Sequence, residues 1–190
     1  MSTPATMALG DALALSVMRA RNFSANDFKK YHPGGGLGKQ MMPVTQAMRF
    51  RCAPASGNGG AAGDANLPLI GLGTLVKDAY ADAEQHAKDR GLRRPGALIV
   101  VDAAGKLAGI VTDGDLRSAL IRQGPDVWTS PIDAIMTKNP TTLPHNALVR
   151  DAVHIVREHR FDEIPVVGED GTPVGLIDVQ DLAALKVIEG

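Results

Sequence analysis

The sequence has a single cysteine, Cys52, among 190 residues. An internal disulfide is therefore excluded, and so is a Cys-rich metal site. Cys52 lies in a Gly/Ala-rich stretch, where an exposed, incidental thiol is expected. No apolar run approaches the roughly 20 residues needed to cross a bilayer, and the start, Met1-Ser2-Thr3-Pro4, lacks the charged-then-apolar pattern of a signal peptide. Neither charge is in excess: 20 Lys and Arg stand against 21 Asp and Glu, for a formal net charge of -1. Without a basic field the chain has no global attraction to nucleic acid or to an anionic membrane, so an anionic ligand has to be held locally. These absences predict a cytoplasmic protein with neither a nucleic-acid nor a membrane partner.

What the sequence does have is a repeat. Gly109-Ile110-Val111-Thr112-Asp113-Gly114-Asp115-Leu116 returns as Gly175-Leu176-Ile177-Asp178-Val179-Gln180-Asp181-Leu182. Each copy follows another apolar run across a Gly-containing turn, at Gly105 and Gly171. Periodicity predicts, in unit one, a lead helix at Val44–Met48, an extended piece at Leu67–Ile70 and a helix from Thr74 with Leu75, Ala79 and Ala83 on one face. Strands Ala97–Val101 and Leu107–Thr112 and a closing helix from Asp113 to Arg122 complete it. Unit two repeats the order with a lead helix Ile132–Met136, an extended piece Thr141–Leu143, a helix Ala147–Glu158, strands Ile164–Val167 and Val174–Asp178, and a last helix Val179–Ile188. Duplication of this kind builds paired clefts, which points to ligand binding. The run from Arg51 to Asn66 is Gly/Ala/Asn/Ser-rich and reads as a mobile insertion in unit one, where added loop length costs little.

The β-α-β-β-α order, its duplication and the closing acidic signature resemble the cystathionine-β-synthase-type (CBS) domain, here as a tandem pair, the Bateman module. That resemblance implies an α+β fold with pseudo-two-fold symmetry, divided as 43–124 and 125–190. It also implies a Ser/Thr-x-x-Asp motif whose hydroxyl and helix N-terminus meet phosphate while the Asp accepts from ribose hydroxyls. In unit one the motif maps onto Thr112 and Asp115; in unit two it maps onto Asp178 and Asp181, where an acid replaces the hydroxyl and disfavours a phosphate. The same residues are also what a helix start asks for, an N-cap and a first-turn carboxylate, and a cap can face a ligand. Further cleft positions implied by the family are Ile164 and Pro165, Ala97 and Leu98, and Thr142. Arg117 and Arg150 are candidates to meet an anion, although solvated helix faces are the usual place for such residues. CBS pairs associate face to face through their helices, so a homodimer or homotetramer is expected.

The N-terminal part carries a helix at Ala8–Asn22, a second helix opened by Ser24 with Asp27 in a capping position, and a loop His32-Pro33-Gly34-Gly35-Gly36-Leu37-Gly38-Lys39. The glycines of that loop are not a phosphate-cradling P-loop: Pro33 takes the first Gly position, Gln40 the last, and a helix precedes them. With Leu9-Gly10-Asp11-Ala12-Leu13-Ala14 and Arg21-Asn22-Phe23-Ser24, the loop resembles the junction in arabinose-5-phosphate isomerases where the sugar isomerase (SIS) domain ends and the CBS pair begins. Residues 1–42 then read as the end of that domain, and the resemblance assigns His32 to the isomerase site. Aldose–ketose isomerisation also needs a carboxylate base and a phosphate anchor, which Asp11 and Asp27 do not supply. The chain is therefore expected to be inactive by itself, binding a sugar phosphate only with the missing SIS domain. The regulatory ligand implied is a nucleotide or nucleotide sugar, with CMP-Kdo the candidate from pathway logic. No cofactor is implied. His86, His145, His154 and His159 lack ligand spacing, so no metal site is expected, and Trp128 reads as a packing residue in the connector between the units.

Overall fold

A computed structural model describes residues 3–23, 27, 35–52 and 65–188. The chain divides into two compact units, Met1–Met41 and Met42–Gly190. The first holds a helix over Thr3–Ala20, five residues longer at its start than the apolar spacing predicts. Asn22 ends it in the left-handed region (φ 50), with Phe23 N–H donating to Met18 O (2.9 Å) and Asn22 N–H to Arg19 O (3.1 Å). Asn tolerates that conformation because its short side chain bonds locally. Gly36–Gln40 forms one helical turn, where the glycine content predicts loop throughout; Lys39 N–H closes it on Gly35 O at 3.0 Å. Apart from Asp27, the helix expected from Ser24 lies outside the described residues, as does His32.

The second unit is α+β. Sheet one has the order β2-β3-β4-β5 and sheet two β1-β8-β7-β6. The strands are β1 Phe50–Arg51, β2 Leu69–Gly71, β3 Ala97–Val101, β4 Leu107–Thr112, β5 Thr137–Lys138, β6 Leu143–Pro144, β7 Glu163–Val167 and β8 Pro173–Asp178. In each sheet a parallel pair (β2 with β3, β6 with β7) is followed by two antiparallel ones, and both β3 and β7 slip register at their penultimate residue. β3 is apolar at every position because both of its faces are covered. Leu98 and Val100 lie under helix Val76–Asp89, whereas Ala97 and Ile99 face a layer between the sheets shared with Phe50, Cys52, Leu67, Ile110 and Leu176. That helix buries Val76, Ala79, Ala83 and Ala87, one stripe at helical spacing, and Trp128 meets Tyr80 edge-on at 6.2 Å in the same core. The last helix, Val179–Ala184, stops before its predicted end. Lys186 turns left-handed (φ 57), and Lys186 and Val187 N–H return to Ala183 and Leu182 O.

The sequence units and the spatial units differ. The lead segment of each repeat leaves its own unit and completes the other. Phe50 pairs with Leu176 on β8, and Thr137 with Ile110 on β4. Val44 N–H donates to Ala147 O (2.8 Å) and Ile132 N–H to Thr74 O (2.7 Å), the same bond at both ends of the pseudo-symmetry. Two glycines make room for this. A Cβ at Gly109 would stand 2.7 Å from Met136 Sδ and 2.8 Å from Thr137 O; one at Gly175 would stand 2.7 Å from Met48 Sδ and press still closer on Phe50 O.

Cys52 is buried in the layer between the sheets, not exposed, and burial pushes its thiol up to about 12. Composition misplaces it because Phe50 and Cys52 are i, i+2 on an extended segment, so both point to the same apolar face. Residues 53–64 lie outside the described residues, yet the flanks of that segment meet. Asn66 Oδ1 accepts from Arg51 N–H (2.7 Å), its Nδ2 donates to Arg49 O (2.8 Å) and its N–H to Arg51 O (2.9 Å).

Two outcomes test this packing. Gly109→Val overfills the contact with Met136 and destabilises by about 1–3 kcal/mol, read by urea unfolding. Cys52 stays unreactive to a thiol reagent in the folded protein and labels fully in denaturant; rapid labelling without denaturant would place it at the surface.

Candidate functional site

Thr112 closes β4 and caps helix Asp113–Gln123. Its hydroxyl accepts from Asp115 N–H (3.1 Å) and donates to Asp115 Oδ2 (2.8 Å), which also accepts from Thr112 N–H (2.8 Å). This reciprocal capping box fixes the Asp115 side chain. Both bonds from Thr112 land on Oδ2, which leaves the second carboxylate oxygen, Oδ1, to accept from a ligand. The Thr112 hydroxyl proton is directed at Asp115, so an arriving phosphate has to draw it away.

This junction opens on a cavity of about 240 Å³ with three sources of lining. Ile110, Thr112 and Asp115 come from the junction itself; Thr137, Pro140 and Thr141 from the exchanged segment; and Phe161, Glu163 and Pro165 from the start of β7 and the turn before it. A second, more polar lobe of about 440 Å³ shares Thr112, Phe161 and Glu163 with the first and adds Gly96, Asp113, Gly114, Arg117, Arg160 and Asp162. Together they form one cleft, apolar on one side and bearing two guanidinium groups on the other. Arg94 lies just outside it, bonded to both oxygens of Asp113 at 2.8 and 2.9 Å, with its guanidinium over the Tyr80 ring.

Glu163 joins the two lobes. Its side chain lies directly on Gly96, where a Cβ would collide with it. Burial, then the charges of Asp178, Asp162 and Asp113, push its carboxyl up to about 7, against a smaller opposing pull from Arg93. β7 pairs Glu163 with Asp178, as β3 pairs Ala97 with Thr112, so the repeat puts Ala97 and Glu163 at equivalent positions. An acid standing in one copy where the other has alanine is the sequence signal that could have singled it out.

At the equivalent junction of the second repeat both acids are paired with arginines. Asp178 caps helix Val179–Ala184, accepts from Gln180 N–H (2.7 Å) and pairs with Arg93 Nη2 (2.9 Å). Asp181 accepts from Arg49 N–H (3.1 Å), pairs with Arg49 Nε (3.4 Å) and is raised by burial, with the bonds from Arg49 and Asp178 opposing. Both carboxylates are 5% exposed.

The expected site residues therefore separate. Thr112, Asp115 and Pro165 come together on one cavity, and Arg117 lines the neighbouring lobe. Ala97, Leu98 and Ile164 are core residues: Ala97 lies in the layer between the sheets, Leu98 under helix Val76–Asp89, and Ile164 in the core of the second repeat. Thr142 is half-buried, and its neighbours Pro140 and Thr141 line the cavity. Arg150 is exposed on helix Val149–His159, near Asp151. Phe161, Glu163 and Arg160 were not singled out by the sequence; Arg160 ends that helix in the left-handed region (φ 56). His32 lies outside the described residues. Among the described residues no group of His, Cys, Asp and Glu is arranged to hold a metal ion, and no helix is long and apolar enough to cross a membrane.

Comparison with known proteins agrees with the repeat. The chain is 38% identical over 98% of its length to the arabinose 5-phosphate isomerase KdsD of Pseudomonas aeruginosa, of which it covers 51%. It thus spans about half the length of the curated relatives it matches. The crystal structure of the CBS-domain containing protein ATU1752 from Agrobacterium tumefaciens superposes with a TM-score of 0.54 at 28% identity, over 63% of this chain and 84% of that one. The cytosolic domain of the Mg2+ channel MgtE, solved in complex with ATP, shares the fold at 21% identity and a TM-score of 0.53, over 63% of this chain and 45% of that one. Residues 82–122 and 132–187 match the family model described as CBS domain, and the chain belongs to that family, as a tandem pair.

Proposed function

We propose that this chain is the ligand-sensing module of a sugar-phosphate isomerase of the arabinose-5-phosphate isomerase kind, and that the cleft at Thr112 and Asp115 is its nucleotide site. The observation that carries the reading is the contrast between the two junctions: one opens on a two-lobed cleft, the other is neutralised by Arg93 and Arg49. In the open one, Asp115 suits a ribose diol. At the start of helix Asp113–Gln123 the Gly114 N–H, and beside it the Arg117 and Arg160 guanidiniums, suit a phosphate. Ile110, Pro140, Pro165 and Phe161 offer an apolar slot for a base. One ligand is therefore bound per chain.

The similarity to KdsD and its kind supports placing the module in such an isomerase, with sugar-phosphate chemistry belonging to a longer parent protein and the His32 loop joining its site there. A nucleotide sugar such as CMP-Kdo fits the role of a regulatory effector. Adenine nucleotides are equally apt first probes, given the ATP held by the MgtE domain.

Calorimetry against AMP, ATP, CMP and CMP-Kdo tests the reading. At least one binds at one site per chain, and Asp115→Ala weakens it by about tenfold or more, as expected for the loss of a charge-assisted bond. Asp181→Asn, at the arginine-filled junction, leaves affinity within about twofold. No binding by any of the four would sink the proposal, and so would two equal sites per chain.

A further inference from the structure

Glu163 stands where no binding role requires an acid. It projects from the first residue of β7 onto Gly96 and touches both lobes of the cleft, between Thr112 on one side and its strand partner Asp178 on the other. The polar lobe that would take a phosphate contains three carboxylates, Asp113, Asp162 and Glu163, against two guanidiniums, Arg117 and Arg160. Arg94 offsets Asp113 through its ion pair, and Arg93 is committed to Asp178. Asp115 faces the apolar lobe. With Asp113 offset in this way, Asp162 and Glu163 only match Arg117 and Arg160, so an entering phosphate leaves the lobe net negative. Protonating one carboxylate balances the lobe and converts that group from an acceptor into a donor towards the ligand.

We propose that Glu163 is the carboxylate that takes up this proton, so that a phosphate-bearing ligand binds together with one proton from solvent and the cleft responds to ligand and pH at once. This rests on the nucleotide reading above and names how that site is regulated. Asp113 already accepts two bonds from Arg94, and Asp178 accepts from Arg93 and Gln180 N–H, so both have donor partners within the protein. Asp162, in the turn ahead of β7, is exposed. Glu163 alone is both half-buried and flanked by like charges, and its carboxyl already stands raised to about 7 without ligand. An added anion raises it further, so the direction is fixed: the proton is taken up on binding, and affinity falls as pH rises through and above neutrality.

The test uses the full chain and AMP as the probe, comparing wild type with Glu163→Gln by calorimetry at about pH 6 and about pH 8. AMP's own phosphate ionises near pH 6 and affects both proteins alike. Beyond that shared change, wild type binds about tenfold more weakly at the higher pH, as expected for a required proton on a group titrating near neutrality. Repeating the titration in buffers of different ionisation enthalpy shows proton uptake in wild type and its loss in Glu163→Gln. A ligand-free readout stands beside it. The Glu163 carboxyl, followed by carbon NMR, titrates near neutrality, and Glu163→Gln gains in melting temperature over wild type as pH rises from about 4.5 to about 7, because only wild type loses the favoured proton. Equal pH dependence in the two proteins, or a carboxyl titrating in the ordinary range near 4, overturns the proton link and leaves the nucleotide reading intact. If none of AMP, ATP, CMP or CMP-Kdo binds either protein at either pH, the nucleotide reading falls and the proton link with it.

Discussion

The exchange of lead segments is the constraint on which the second unit depends. Neither sheet is complete within its own repeat: β1 comes to sheet two from the first repeat, and β5 to sheet one from the second. The layer between the sheets is then built by both, with Phe50 and Leu176 meeting Ile99 and Ile110. Gly109 and Gly175 permit this by letting Met136 and Met48 lie against bare backbone. Half of such a pair would expose both an unpaired strand edge and an apolar face, which is why two short repeats act here as one folding unit.

The same exchange determines what the clefts are made of. Thr137, Pro140 and Thr141 reach the open cleft because β5 has crossed to sheet one; Arg49 reaches Asp181 because the segment before β1 has crossed to sheet two. Pseudo-symmetry therefore delivers equivalent backbones with different side chains. Both junctions start a helix with a capping box, yet Thr112 leaves its site open, whereas Asp178 adds a charge that Arg93 neutralises. At the second junction the capping acid pairs with Arg93 and the first-turn acid with Arg49, so one of two matching backbones carries two internal salt bridges.

The strands and their duplication were legible because they are signalled locally, by apolar runs of strand length bounded by glycine turns; β3 and β4 fall on their predicted residues. Thr112 and Asp115 were legible for the same reason, since a cap and its first-turn acid lie three residues apart. The far wall of the cleft was not, because Arg160, Phe161 and Glu163 become neighbours of Thr112 only through tertiary packing. Ala97, Leu98 and Ile164 fit the cleft by position in the repeat, but both faces of their strands are covered, which encloses all three side chains. Cys52 was misread for a related reason. Composition averages over a window, and the end of a strand can bury a residue inside a stretch that otherwise lacks large apolar side chains.

Asn66 has a consequence beyond joining the ends of the segment it follows. β1 lies at the margin of sheet two, where the N–H and C=O groups of Arg51 face away from β8 and would otherwise be free to recruit another chain's strand. The carboxamide and backbone N–H of Asn66 occupy those groups and Arg49 O, imitating a missing strand with one residue. A margin sealed in this way cannot serve as a template for aggregation. It also insulates the register of β1 from whatever length or composition is placed between Cys52 and Asn66.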